Sequence, residues 1–138
     1  MPLPRSAAVV FRLGLAAAVA AVTALATLPL ERPPVPGLSD KANHLLAFWV
    51  LGFLADFAWP ERGFDRTKAA PLFAYGVGIE VLQLFLPHRT FSLPDVVADA
   101  AGLAAYGLCL PLLRRLPVLR KRWPDAPSRR KPAEGSPT

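Results

Sequence analysis

The sequence predicts an all-α fold, a small multi-pass transmembrane bundle of about four helices, and three observations carry that expectation. Of its 138 residues, 53% are hydrophobic and only 19% charged, whereas soluble domains hold about 45–50% apolar residues and roughly a quarter charged. Mean hydropathy is positive, +0.34. The apolar residues are also gathered into four blocks, at about 7–30, 42–59, 69–86 and 93–113, separated by short Pro-rich or charged connectors.

The first and last blocks match the length of about 20 residues that a spanning helix needs, and the two middle blocks fall near its lower limit. A soluble helical hairpin is the competing reading of the middle pair, because His44, Asp56 and Glu80 lie inside it. Neither block has the broad polar stripe of a water-facing helix, and the loops are too short to cover a soluble core. Block one also resembles a signal peptide, with Arg5 ahead of the apolar run and Ala24-Leu25-Ala26 in small-x-small form; its continuation to Leu30 favours a retained span. Residues 1–113 are therefore expected to form the membrane domain. Residues 114–138 read as a basic, disordered cytoplasmic tail that sets topology and touches anionic lipid.

Composition excludes several functions. The lone Cys109 lies in an apolar run and supports neither a disulfide framework nor a zinc site. The net charge is +6, but aromatics do not interleave with the basic residues and half of these sit in the tail, so no nucleic-acid partner is expected. Membrane lipids are the expected partners.

Orientation follows from Lys and Arg near the span ends. With both termini cytoplasmic, the inside holds Arg5, Arg12, Arg62, Arg66, Lys68 and the eight basic residues from Arg114 to Lys131, thirteen of the sixteen; only Arg32, Lys41 and Arg89 remain outside. Three polar clusters then meet at the extracytoplasmic face: "SDKANH" opening block two, "EVLQLFLPHR" closing block three and "FSLPDVVAD" starting block four. At helical spacing Asp95, Asp99, Gly102 and Tyr106 share one face, with Asp99 about 6 Å deeper than Asp95. Gly76, Glu80, Gln83 and Pro87 are expected to form a second face, and Lys41, His44, Phe48 and Gly52 a third. The glycines read as sites of close helix packing. Asp56 reads as a boundary residue at the cytoplasmic end of its helix.

The segments "SDKANHLLAFWVLGFL" at 39–54 and "GVGIEVLQLFLPHRTFSLPDVVADAAG" at 76–102 hold Asp-Lys-x-x-His, Glu-x-x-Gln and Arg-x-x-Ser-x-x-Asp elements in that order. Together they resemble the VanZ-like membrane proteins. The resemblance implies a small multi-pass helical protein and a link to glycopeptide (teicoplanin) resistance, but no reaction. Asp99 departs from the pattern, which favours Asn there.

Carboxylates at membrane depth are costly unless they pair, protonate or face a water-filled cavity, so Glu80 and Asp99 mark a functional site by default. The blander reading is polar glue between helices, which contributes only about 0.6–2 kcal/mol per contact. Two functional classes follow. In the first, an extracytoplasmic pocket handles a polar lipid headgroup or envelope precursor: Lys41 and Arg89 hold an anion, Asp40, Gln83, Ser92 and Asp99 complete the binding surface, and Glu80, His44 and Asp95 move protons. The second is a proton- or ion-coupled conduit through Glu80 and Asp99, disfavoured by the short spans and the missing polar path inward. A non-catalytic scaffold is the third reading. His44, Glu80, Asp95 and Asp99 are metal-ligating residue types without clean ligand spacing, and nucleophile motifs are absent, so no metal, cofactor or reaction is assigned.

Overall fold

The computed structural model describes residues 5–29 and 37–120. Arg32 and the tail beyond Arg120, both used in the charge argument above, lie outside the described residues. The described chain is helical, without strands: α1 (Arg5–Thr27), α2 (Asp40–Ala58), α3 (Arg66–Gln83), α4 (Leu93–Leu113) and the single turn α5 (Pro117–Arg120). Of these, α1 and α4 are long and apolar enough to cross a membrane. The middle helices are shorter, 19 and 18 residues, and include Asp40, Lys41 and Asp56 in α2 and Arg66, Lys68 and Glu80 in α3.

Local chemistry sets the helix boundaries. Ser39 caps α2, its hydroxyl accepting from the Ala42 N–H at 3.2 Å, and the helix stops at Ala58, just before Trp59-Pro60, because a residue preceding proline disfavours helical backbone. Asp65 caps α3 through the Thr67 N–H at 2.9 Å. The Thr67 hydroxyl and this amide together hold the exposed Asp65 carboxyl below its ordinary pKa. Pro94 sits in the first turn of α4, where its missing N–H has no helical partner to lose.

Block three departs from its expected form. Its apolar run continues to Leu86, but α3 ends at Gln83, and residues 84–86 turn back with Leu84 and Phe85 amides bonded to Val81 and Leu82 carbonyls. Pro87 therefore does not lie on the Gly76, Glu80, Gln83 face, and the depth of Glu80 is not measured from it.

α2 is the central helix, packed on α1 on one side and α4 on the other. Phe11 of α1 meets Phe53 and Phe57 at ring-centroid distances of 6.1 and 4.9 Å. Trp49 and Phe53 meet the edge of Tyr106 from α4. Phe48, Leu51, Ala55, Leu72 and Leu103 form the buried core. Tyr75 ties α3 to α1, donating to the Val19 carbonyl at 3.0 Å and meeting the Thr23 hydroxyl at 2.8 Å. Outward-facing surface is apolar on α1, α4 and the turn after α3: Leu13, Phe85, Val97, Leu108 and Leu112 are all more than 60% exposed, a coat that a bilayer accommodates.

Gly102 permits the α2–α4 crossing. A Cβ there would run into the Leu45 carbonyl oxygen and lie 3.0 Å from Phe48 Cβ. Gly102→Ala should cost about 1–3 kcal/mol through overpacking, read by unfolding in mixed micelles. Gly78→Ala, where nothing lies within 4 Å, should be neutral or stabilising by about 0.5–1 kcal/mol. Equal stability of the two variants would refute the close-crossing argument.

Candidate functional site

Two polar clusters stand at opposite ends of the bundle. At the end holding the C-terminus of α2 and the start of α3, Asp56 is wholly buried. Its Oδ1 accepts from Lys68 Nζ and its Oδ2 from the Tyr106 hydroxyl, both at 2.9 Å. Lys68 Nζ also donates to the carbonyls of Asp56, Trp59 and Arg62 at 3.3, 2.9 and 2.7 Å, a cation closing the C-terminus of α2. Asp56 is thus not the boundary residue its position in block two suggested. Likewise Lys68, only 7% exposed, is a buried partner rather than a free loop charge. Arg12 completes this end, donating from Nε to the Ala58 carbonyl at 3.0 Å and lying over the Trp59 ring.

The other end gathers the candidate site residues from α2, α3, α4 and the 84–92 loop. His44 reaches across to α4, with Nδ1 2.9 Å from Asp99 Oδ1 and Nε2 3.9 Å from Asp95 Oδ2. An ionised Asp99 accepts, so the shared proton sits on Nδ1, and Nε2 faces Asp95. Asp99 is 1% exposed and contacts the glycine face of α3: a Cβ on Gly76 would lie 2.6 Å from Asp99 Oδ2.

Glu80 is fully buried. Its Oε2 accepts from the Ser92 N–H at 2.9 Å. Ser92 is the N-cap residue of α4 but makes no side-chain cap bond, so the carboxylate from α3 takes that role at the positive end of α4. Glu80 Oε1 and Asp95 Oδ1 are buried without a hydrogen-bond partner. Glu80 stands behind the wall of the cavities described below, whereas His44 lines both.

Arg89 and Gln83 have a structural task that spacing did not suggest. Arg89 donates to the Leu25 and Leu28 carbonyls at 3.0 and 3.2 Å, and Gln83 to Ala26 at 3.0 Å. His88 Nε2 lies 2.9 Å from the Thr27 carbonyl and donates to it. The carbonyls of Leu25, Ala26 and Thr27 at the end of α1, and of Leu28 just after it, are thereby satisfied by three side chains from elsewhere in the chain. His88 was missed in the sequence. The available signal was that α1 ends in Ala-Thr with no basic residue in its last turn, which leaves its carbonyls in need of outside donors.

Two cavities meet at this end. One, about 290 Å³, is apolar along most of its wall, with Ala18, Ala21, Val22, Ala47, Leu51 and Ile79, and ends at Asp40, His44, Gln83, Arg89 and Asp99. The second, about 270 Å³, is polar and lined by Asp40, Lys41, His44, Gln83, His88, Arg89, Thr90, Ser92 and Asp95. Asp40, His44, Gln83 and Arg89 belong to both. These four shared residues set an apolar cavity and a charged cavity side by side.

A family model described as VanZ/LLP1 matches residues 8–114. The chain is similar to the uncharacterized membrane protein YwnJ of Bacillus subtilis (strain 168), 41% identical over 77 residues, 55% of this chain and 52% of the relative. It is also similar to the uncharacterized protein C11E3.10 of Schizosaccharomyces pombe (strain 972 / ATCC 24843), 35% identical over 96 residues, 63% of this chain and 56% of the relative. The chain spans about half the length of these curated relatives. No solved structure matches it.

Proposed function

The chain belongs to the VanZ/LLP1 family, and on that premise we propose that it is a multi-pass membrane protein that binds an amphiphile with an anionic headgroup at the extracytoplasmic ends of α2, α3 and α4. One observation carries the reading: the apolar and polar cavities share Asp40, His44, Gln83 and Arg89. A ligand filling both needs a hydrocarbon part and a polar head, and the cavities are near the lower size of small-molecule sites, about 300 Å³. Lys41 and the guanidinium of Arg89 supply positive charge beside the polar arm. His44 and Asp95 are the groups placed to exchange protons with a bound head, and Glu80 and Asp99 act from behind them.

The orientation rests on the thirteen-to-three division of basic residues, with both termini cytoplasmic. A lipid-linked envelope precursor has the required chemistry, and a contribution to teicoplanin resistance would follow from holding such a molecule. The conduit reading is weaker, because Phe48, Leu51 and Leu103 form an apolar layer between the His44–Asp99 pair and the Asp56–Lys68 pair.

The test is the lipid retained by the full chain purified in mild detergent, measured by mass spectrometry per mole of protein. The expected result is about one anionic amphiphile per chain, a stoichiometry set by the single joined site. Ala21 lines the apolar cavity yet is itself exposed, so Ala21→Trp fills the arm without entering the core. It should lower retention about tenfold, equivalent to about 1.4 kcal/mol. Retention unchanged by Ala21→Trp would refute the reading.

A further inference from the structure

We propose that Asp40, His44 and Asp95 bind a divalent transition-metal ion, with Asp99 as the positioning residue that sets the histidine for it. Asp40 and His44 stand one turn apart on α2, and Asp95 faces them from the first turn of α4; one ligand atom from each lies within 4.8 Å of the others. Metal bonds of about 2.0–2.2 Å would draw these atoms together by roughly 1 Å, a movement available to the exposed Asp40 side chain.

A second feature points to a ligand. Asp95 is only 7% exposed, and its Oδ1 is buried with no hydrogen-bond partner, a costly state for a carboxylate unless a cation completes it. The His44 Nε2 to Asp95 Oδ2 distance of 3.9 Å is too long for a hydrogen bond. It lies within the span of two metal–ligand bonds meeting at a shared ion.

The neighbouring pair supplies the orientation. Asp99 holds Nδ1 of His44 at 2.9 Å, which directs the Nε2 lone pair into the polar cavity, the carboxylate–histidine–metal arrangement typical of such sites. Three protein ligands leave room for water or a ligand oxygen at the ion. The imidazole favours Zn²⁺ over Mg²⁺ or Ca²⁺, and the two carboxylates also suit Mn²⁺. The inference shares residues with the amphiphile reading but does not depend on it, since metal uptake is measured without lipid.

The experiment uses the full chain in delipidated detergent micelles, stripped with a chelator and titrated with Zn²⁺ against a chromophoric competitor, and with Mn²⁺ by loss of the free-ion paramagnetic signal. One ion per chain is expected. Asp40→Asn should weaken binding at least tenfold, and Asp40→Asn with Asp95→Asn should abolish it. Asp99→Asn should weaken it about 10–100-fold. Helical circular dichroism of Asp40→Asn should match wild type because the residue is exposed, separating lost ligation from lost folding. Glu61→Gln, an exposed acid away from the site, should bind as wild type. Absence of stoichiometric uptake by the wild type would overturn the proposal, as would wild-type affinity in the Asp40→Asn, Asp95→Asn double variant. Lipid retention measured on the same preparations distinguishes failure here from failure of the amphiphile reading.

Discussion

Lys68→Met should destabilise the bundle by about 3–5 kcal/mol, the cost of leaving one partner of a buried ion pair without the other. The Asp56 side chain is 0% exposed and that of Lys68 6%, so water cannot replace the lost ammonium without opening the helix end. The lysine also serves the Asp56, Trp59 and Arg62 carbonyls, so its removal leaves Arg12, bonded to the Ala58 carbonyl, as the cation at that helix end. Asp56→Asn should cost less, because an amide oxygen can still accept from the Tyr106 hydroxyl at the position Oδ2 now occupies. Combining the two substitutions should recover part of the loss by removing the uncompensated charge. Unfolding free energies in mixed micelles, arranged as a double-mutant cycle, read that coupling. If Lys68→Met costs under about 1 kcal/mol and the two substitutions are additive, Asp56 and Lys68 do not act as a unit.

The same pair shows why only part of the molecule was legible in its sequence. α1 and α4 declare themselves through long apolar runs, and the all-helical architecture follows from them and from block spacing. Hydropathy could not mark the end of α3, since Leu84, Phe85 and Leu86 continue the apolar run after the helix has stopped; the proline at 87 was the better guide. It also placed Asp56 beside a basic loop and made it look like a boundary acid, when a turn of the chain brings Lys68 back to neutralise it. Pairings of that kind depend on the packing of whole helices. His44 and Asp99 are 55 residues apart, and no local period announces their contact. What helical spacing does supply is which residues share a face, as with Asp95, Asp99, Gly102 and Tyr106, all buried together on α4.

Glu80→Gln should insert and accumulate like wild type yet hold its anionic amphiphile about tenfold more tightly, about 1.4 kcal/mol of binding, because a negative charge near the headgroup is gone. The substitution keeps size, and the amide oxygen can still accept from Ser92 N–H, now 2.9 Å from Oε2, so the start of α4 stays in place. The negative charge is removed, and the amide NH₂ takes the place of Oε1, which has no hydrogen-bond partner. That charge lies within electrostatic reach of Asp95, His44 and Asp99, and it opposes the cations bordering the polar cavity from behind its wall. Its loss changes the field at the head of the ligand while leaving the apolar arm intact. Glu80→Leu separates charge from scaffold: it removes the charge and also orphans the half-buried Ser92 amide, costing about 1 kcal/mol for an unsatisfied donor, and should lower stability. Glu61→Gln provides the matched control, an acid neutralised on the exposed connector between α2 and α3. Measured at equal protein in the same detergent, wild-type retention by Glu80→Gln with impaired folding of Glu80→Leu would reduce Glu80 to a helix cap. Tighter retention in Glu80→Gln, with only Glu80→Leu destabilised, assigns the carboxylate charge to the field at the ligand head.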